Sequence, residues 1–250
     1  MRFRDGQIKA VGKACDVVLA CLSTVDASEQ IFLGKDGLVS VARPGQILVD
    51  HSTVGPSLAR RIAEAAEQRG AAFLDAPISG GVERAADGSL TVMAGGSPEA
   101  FQRALPVFQS MGKHVHHCGP SGAGCIAKLS NQLLVAVHSL AACEAALLAT
   151  FGGADLPKLL DILSTSWGQS TMLGRHGPLF VSRDFGSRAP IRFFIKDLGL
   201  VEELEHEWGL PLPLAKRARE MLQEAERRGM GDMDIAALLT LLEQKAGQAS

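Results

Sequence analysis

The sequence predicts an α/β chain in two parts: a parallel sheet with both faces covered, then an all-helical half. Three observations carry this. Nearly continuous apolar runs of strand length recur through the first half, as expected of strands buried on both faces. Between two of them lies a stretch of helical periodicity, giving the strand, helix, strand order of a parallel crossover. Past Gly119 the short runs cease and only helical spacing remains.

The predicted strands cover residues 16–22 (DVVLACL), 46–50 (QILVD), 71–77 (AAFLDAP), 90–96 (LTVMAGG) and 114–119 (HVHHCG), each bordered by turn-forming residues. Residues 56–70 (PSLARRIAEAAEQRG) predict a helix, with proline at its start and glycine at its end. A long helix is predicted from Gly124 to Gly152, because no proline or glycine interrupts that stretch. Leu129, Leu133, Val137 and Leu140 share one face of it, which predicts burial. Further helices are expected over residues 156–165, 196–208, 214–228 and 234–246. The domains are accordingly drawn at 1–119 and 120–250.

Bulk properties exclude several classes of function. Of 250 residues, 46% are hydrophobic and 21% charged, enough apolar material for a sizeable core. The net charge is −2 and basic residues are scattered among acids, as in residues 216–220 (KRARE), so there is no footprint for nucleic acid. No apolar run approaches the roughly 20 residues that cross a bilayer, and residues 1–6 lack a signal-type segment. A cytoplasmic chain with no membrane partner is expected. Cys15, Cys21, Cys118, Cys125 and Cys143 form no Cys-x-x-Cys pair and fit reduced thiols that fill core space.

Three clusters could carry chemistry. Residues 75–81 (DAPISGG) place Asp75 at the carboxyl end of a strand, where open α/β sheets bind ligands. Ser79, Gly80 and Gly81 then offer a hydroxyl and unscreened amides for a carboxylate or hydroxyl; a tight turn that needs glycine is the alternative. In residues 122–132 (GAGCIAKLSNQ), Lys128 is followed at i+3 and i+4 by Asn131 and Gln132, so a lysine and amides share one helix face. Among apolar neighbours such a lysine can have a lowered pKa and exchange a proton near neutrality. On its own it equally fits a snorkelling surface lysine. In residues 193–198 (FFIKDL) a charged pair opens a helix, where Asp197 suits the helix dipole and Lys196 does not. Lys196 is either held for a ligand or paired at the surface.

Other chemistries lack their parts. His114 and His116 alternate on one side of a strand with His117 on the other, and no spaced partner pair supports a metal. There is no Gly-x-Ser-x-Gly elbow and no Walker-type Gly-Lys-Ser/Thr. The chain has no tyrosine, which excludes any mechanism that needs a phenol as proton donor.

Taken together, the order and spacing of the three clusters resemble the β-hydroxyacid dehydrogenase family, the group of 3-hydroxyisobutyrate dehydrogenase and tartronate semialdehyde reductase. Residues 75–81 match its DAPVSGG-type substrate loop, which continues through Ala85, Gly88, Leu90 and Met93 to Gly95 and Gly96. Residues 122–128 match its Gly-x-Gly-x-x-x-Lys motif, and residues 196–198 its Lys-Asp-Leu motif. Residues 50–53 (DHST) resemble its Asp-x-Ser-Thr segment, and Leu22-Ser23 falls at its usual Leu-Pro.

The resemblance implies a Rossmann-type dinucleotide domain and interconversion of a small 3-hydroxy acid and its semialdehyde with NAD or NADP. It implies Lys128 as general acid/base, with Ser79 and Gly80 on the substrate carboxylate and Gly81 beside them in the substrate-binding loop. Asn131 and Gln132 would orient the substrate, although many members carry a second asparagine where Gln132 stands. Leu22, Ser23, Thr53 and Lys196 would lie beside the cofactor, and no metal is implied. The lysine at 128 also argues against the related imine reductases.

The family's Gly-x-Gly-x-x-Gly turn is not found in these residues, and residues 16–22 match its fourth strand. The expectation is therefore a partial Rossmann-type sheet with its first strands missing. An apolar open edge and weakened cofactor binding would follow. Three readings stay open: a shortened record of a normal dehydrogenase, a catalytically inactive binding or assembly module, and a structural partner of a full-length relative. The apolar helical half also predicts a homo-oligomer.

Overall fold

A computed structural model describes residues 7–247. Its backbone divides into two compact units, with the boundary between Leu129 and Ser130. The first unit contains α1 (Gln7–Ala14), β1 (Val17–Ala20), α2 (Val25–Leu33), β2 (Ile47–Asp50), α3 (Pro56–Glu67) and β3 (Ala72–Asp75). These are followed by β4 (Ile78–Ser79), α4 (Gly81–Ala86), β5 (Leu90–Gly95), α5 (Pro98–Met111) and β6 (Gly112–Gly119). The start of α6 (Ala123–Phe151) completes it.

The five expected strands are present, and β1, β2 and β3 lie side by side in parallel. Local signals explain the helices between them. Thr24 caps α2 by accepting the Ala27 N–H at 3.1 Å, and Ser97 caps α5 by accepting that of Ala100 at 3.2 Å. β2 is buried at all four positions, which is why its sequence is a continuous apolar run. One sheet face carries Val18, Leu48 and Phe73 against Phe32, Leu58 and Ile62; the other carries Ile47, Val49 and Leu74 against Phe101 and Phe108. Each fully buried side chain of this kind contributes about 1.5–3 kcal/mol.

The sheet is dominated by parallel pairs, as the sequence predicts, with the direction reversed at β5. β5 runs antiparallel to β3 and β4, and β6 is parallel to β5. The six-residue α4 is too short to carry the chain back across the sheet, so the strand after it returns the way it came. Asp75↔Gly95, Ile78↔Val92 and Ser79↔Thr91 share one register, so β4 continues the β3 ladder beyond Pro77. Across the four strands Ala20, Asp50, Asp75 and Gly95 stand in one row. Among the described residues β1 pairs only with β2, and its outward Leu19 is 38% exposed.

The second unit is helical: the rest of α6, α7 (Leu156–Ser164), α8 (Thr171–Ser182), α9 (Ile191–Trp208), α10 (Pro213–Arg227), a 3-10 turn (Ile235–Ala237) and α11 (Leu238–Lys245). Two elements depart from expectation. α8 forms despite Gly174, Gly177 and Pro178, because Ser170 caps its start and Leu173, His176 and Phe180 bury a helical stripe. α9 begins five residues earlier than predicted: Ile191, Phe194, Leu198 and Val201 are buried at helical spacing, so Lys196 and Asp197 sit inside the helix rather than opening it.

α6 is less buried than its pattern implied. Leu129 and Leu140 are buried, but Leu133 and Val137 are half-buried, and Leu134, Leu148 and Phe151 are exposed. Its 29 residues include a window of mean hydropathy 1.8, long and apolar enough by length and composition to cross a membrane. The sequence expectation that no stretch approaches that length is corrected on this point. Expected core cysteines are corrected too: Cys125 and Cys143 are buried, whereas Cys15, Cys21 and Cys118 are exposed.

Candidate active site

Asp75, at the end of β3, is 1% exposed and is occupied by protein rather than open to a ligand. Its carboxylate accepts the Gly122 N–H at 2.7 Å and the Cys125 N–H at 2.9 Å, two of the donors that a helix start leaves unsatisfied. Burial raises the Asp75 pKa, against these hydrogen bonds, which lower it. The start of α6 lies so close that a Cβ on Gly124 would overlap the Asp75 and Met93 carbonyl oxygens, which is why this position is glycine. An open groove of about 780 Å³ runs past Arg60, Cys118, Ser121 and Ile126; it includes none of the sequence-predicted site residues.

That anchoring sets the aim of Lys128, one turn beyond Cys125. Lys128 is 8% exposed, so it is not a surface lysine. Although Cys21 is exposed as a residue, its sulfur is partly sheltered: desolvation and Asp50 raise the thiol pKa, and the Lys128 charge lowers it. Ser79 is fixed in β4 opposite Thr91. Gly80 then takes φ 137° and Gly81 φ 68°, backbone that an L side chain rarely adopts, and a Cβ on Gly80 would meet the Arg84 side chain. Of the two readings of this loop, the required turn is therefore present; it leaves Ser79 and Gly80 half-buried.

Leu22 and Ser23 follow β1, and Thr53 follows β2, so both segments leave the carboxyl ends of neighbouring parallel strands. The Leu22 N–H donates to Ser52 Oγ at 2.8 Å, tying one segment to the other. In the second unit, Asn131 Nδ2 donates to Gln132 Oε1 at 3.0 Å and Gln132 Nε2 donates to Asp197 Oδ2 at 2.6 Å. Lys196 Nζ lies 2.8 Å from Asp197 Oδ1, so two predicted residues, Gln132 and Lys196, converge on Asp197. The sequence points to Asp197 through its helix position and the Lys-Asp-Leu motif but gives it no site role, and it gives no role to Ser28, Asp50 or Ser52. The Asp-x-Ser-Thr segment was the available signal for the last two.

His114 and His116 are exposed on β6 while His117 Nε2 bonds the Gly96 carbonyl at 2.9 Å. Among the described residues no cluster of three metal-ligating side chains occurs.

Residues 4–119 match the family model described as the NAD binding domain of 6-phosphogluconate dehydrogenase, and residues 122–242 match that of the NAD-binding of NADP-dependent 3-hydroxyisobutyrate dehydrogenase. The NAD-dependent L-serine dehydrogenase of Pseudomonas aeruginosa is 34% identical over 243 residues, covering 94% of this chain and 82% of that protein. The chain belongs to the β-hydroxyacid dehydrogenase family. The L-threonate dehydrogenase of Cupriavidus necator is also 34% identical, over 92% of this chain and 78% of its own. A crystal structure of 3-hydroxyisobutyrate dehydrogenase from Salmonella typhimurium superposes with a TM-score of 0.85 at 33% identity, covering 93% of this chain and 81% of that one. Members of this family are NAD(P)-dependent hydroxyacid dehydrogenases, and both matched regions are of nicotinamide-dinucleotide-binding type.

The chain's own residues fit such a cofactor. Adjacent parallel strands end in register at Ala20 and Asp50, at the carboxyl end of the sheet where doubly wound folds bind dinucleotides, and Ser23 and Thr53 lie in the segments that follow them. The long apolar α6 falls within the second matched region as a helix of that family domain.

Proposed function

We propose that this chain interconverts a short 3-hydroxy acid and its semialdehyde, with NAD or NADP as the redox partner. The burial of Lys128, on a helix whose start is pinned by Asp75, is the observation that carries this reading. L-serine and 3-hydroxyisobutyrate, named for the relatives above, share a carboxylate and a primary hydroxyl on the β carbon, whose oxidation gives a semialdehyde; L-threonate carries a secondary hydroxyl there, whose oxidation gives a ketone. A bound NAD or NADP would supply the hydride acceptor for that carbon. Lys128 Nζ takes the hydroxyl proton during oxidation and returns it to the carbonyl oxygen during reduction.

Ser79 and Gly80 hold the substrate carboxylate through one hydroxyl and an unscreened amide, with Gly81 in the same substrate-binding loop. Asn131 and Gln132 orient the hydroxyl, while Leu22, Ser23, Thr53 and Lys196 bind the cofactor. The dinucleotide domain is assigned to residues 1–119 and the helical domain to 120–250. The exposed Leu134, Leu148 and Phe151 support a homo-oligomer through the helical part. Exposed thiols at Cys15, Cys21 and Cys118 support a reducing, cytoplasmic compartment.

The test is absorbance of reduced nicotinamide while the chain is supplied with NAD+ or NADP+ and, in turn, L-serine, L-threonate and 3-hydroxyisobutyrate. Turnover on at least one, lost in Lys128→Ala with the fold intact, is the expected result. A folded chain that binds cofactor and oxidises none of them removes the reading. Sedimentation that finds only monomer at micromolar concentration removes the oligomer.

A further inference from the structure

Asp50 opens the Asp-x-Ser-Thr segment, and the proposed chemistry gives it no role. It is 1% exposed, at the carboxyl end of the buried strand β2, and both its carboxylate oxygens are engaged. Oδ1 accepts the Ser52 N–H at 2.9 Å, and Oδ2 accepts the hydroxyl of Ser28, which is fully buried in α2. Ser52, 3% exposed, passes the connection on: its Oγ accepts the Leu22 N–H at 2.8 Å. The His51 N–H adds a second tie by donating to the Ala20 carbonyl at 2.7 Å. A buried carboxylate that receives a hydroxyl and an amide forms charge-assisted bonds, roughly twice as strong as neutral ones.

The consequence is geometric. Ser52 lies between Asp50 and Thr53 in sequence and is bonded to Leu22, so the segment after β1 and the segment after β2 are fixed to each other before any ligand arrives. α2, which follows the first segment, is held through Ser28. Ordering two loops on binding costs affinity that a prearranged pair does not lose.

We infer that Asp50 and Ser52 are positioning residues that preorganise the paired loops of Leu22-Ser23 and Thr53 for the nicotinamide dinucleotide. This rests on the assignment of those three residues to the cofactor in the proposed function. Asp50 acts through Ser52 and Ser28 and need not touch the cofactor itself.

Amide hydrogen exchange on the cofactor-free chain and fluorescence titration with NADH and NADPH test the inference together. In Ser52→Ala, exchange at Leu22 and Ser23 should quicken by about tenfold, and the Kd for reduced cofactor should rise about fivefold, the factor that one hydrogen bond carries. Ser28→Ala, which touches neither loop, should raise the Kd by less. If Ser52→Ala fails to fold, Asp50→Asn replaces it, since an amide keeps the shape and only one of the two acceptors. Unchanged exchange overturns the inference, as does faster exchange with an unchanged Kd. A parent chain that binds neither cofactor overturns it as well. A parent that binds NADH but oxidises none of the hydroxy acids fails the proposed function instead and leaves the inference standing.

Discussion

The Asp75 carboxylate accepts the Gly122 backbone N–H at 2.7 Å, across 47 positions of sequence, and its second oxygen accepts that of Cys125 at 2.9 Å. One side chain on β3 thereby satisfies two helix-start donors and fixes the direction of α6. Asp75→Asn keeps the volume but offers one acceptor and sets an NH2 against the other N–H. It should destabilise the chain by about 1–3 kcal/mol, the cost of a buried unsatisfied polar group. Urea unfolding at neutral pH measures this. Equal midpoints for parent and variant would show that α6 does not depend on the contact.

Gly124 makes the same joint from the other side. An added methyl would overlap the carbonyl oxygens of Asp75 and Met93 and sit 2.9 Å from the Gly95 nitrogen, all of them backbone atoms that cannot swing away. Gly124→Ala should cost about 3 kcal/mol or more, in the range of severe overpacking. Gly174→Ala is the control: nothing lies within 4 Å of its Cβ position, and it replaces glycine inside α8. That variant should gain up to about 1 kcal/mol from helix propensity. Thermal melting of the pair decides, and similar shifts for both would contradict the packing argument.

Local signals were legible in the sequence where one element decides its own structure. The apolar run of β2 and the uninterrupted stretch of α6 each announced an element, and the lysine-amide face of residues 128–132 was visible as helical spacing. What escaped was tertiary. The reversal of β5 depends on how short α4 is, and the early start of α9 depends on a buried stripe that begins at Ile191. Asp75 looked like a ligand contact because its partners, Gly122 and Cys125, lie 47 and 50 residues away. Asp197 reads in the sequence as a helix-start residue and a member of the Lys-Asp-Leu motif; its bond to Gln132 spans 65 residues and is invisible there.

Lys128 has a separable role if it moves the hydroxyl proton. Lys128→Ala should lower kcat by about 10²–10⁴-fold, the usual contribution of a positioned acid/base. Cofactor affinity should stay within about twofold, because a proton-transfer group contributes mainly in the transition state. Steady-state rates on any accepted hydroxy acid, paired with NADH titration, separate the two. A Kd that rises in step with the lost rate would mean that the lysine serves the cofactor rather than the proton.

His176 gives the second unit a pH dependence with a defined sign. The ring is fully buried; Nε2 lies 2.8 Å from Ser139 Oγ, whose hydroxyl donates to the Val135 carbonyl, and Nδ1 lies 3.2 Å from Arg175 Nη1. A neutral ring with its proton on Nε2 satisfies every partner, and a second proton would oppose the Arg175 N–H. Burial, and then Arg175, push the pKa down from 6.5 to about 4, with Asp234 acting in the opposite direction. Below pH 6.5 the unfolded chain therefore binds a proton that the folded chain refuses, so stability falls as pH drops and levels off near pH 4. The loss amounts to about 3 kcal/mol. Asp234 is held below its ordinary 3.8 by Arg175 and the Ala236 N–H, despite burial, so its own contribution is lost at lower pH still. Asp75, raised by burial, works in the opposite sense, so the variant His176→Asn is the proper reference. Urea midpoints between pH 7 and 4 should fall more steeply in the parent than in His176→Asn, and parallel curves would assign the acid sensitivity to other groups.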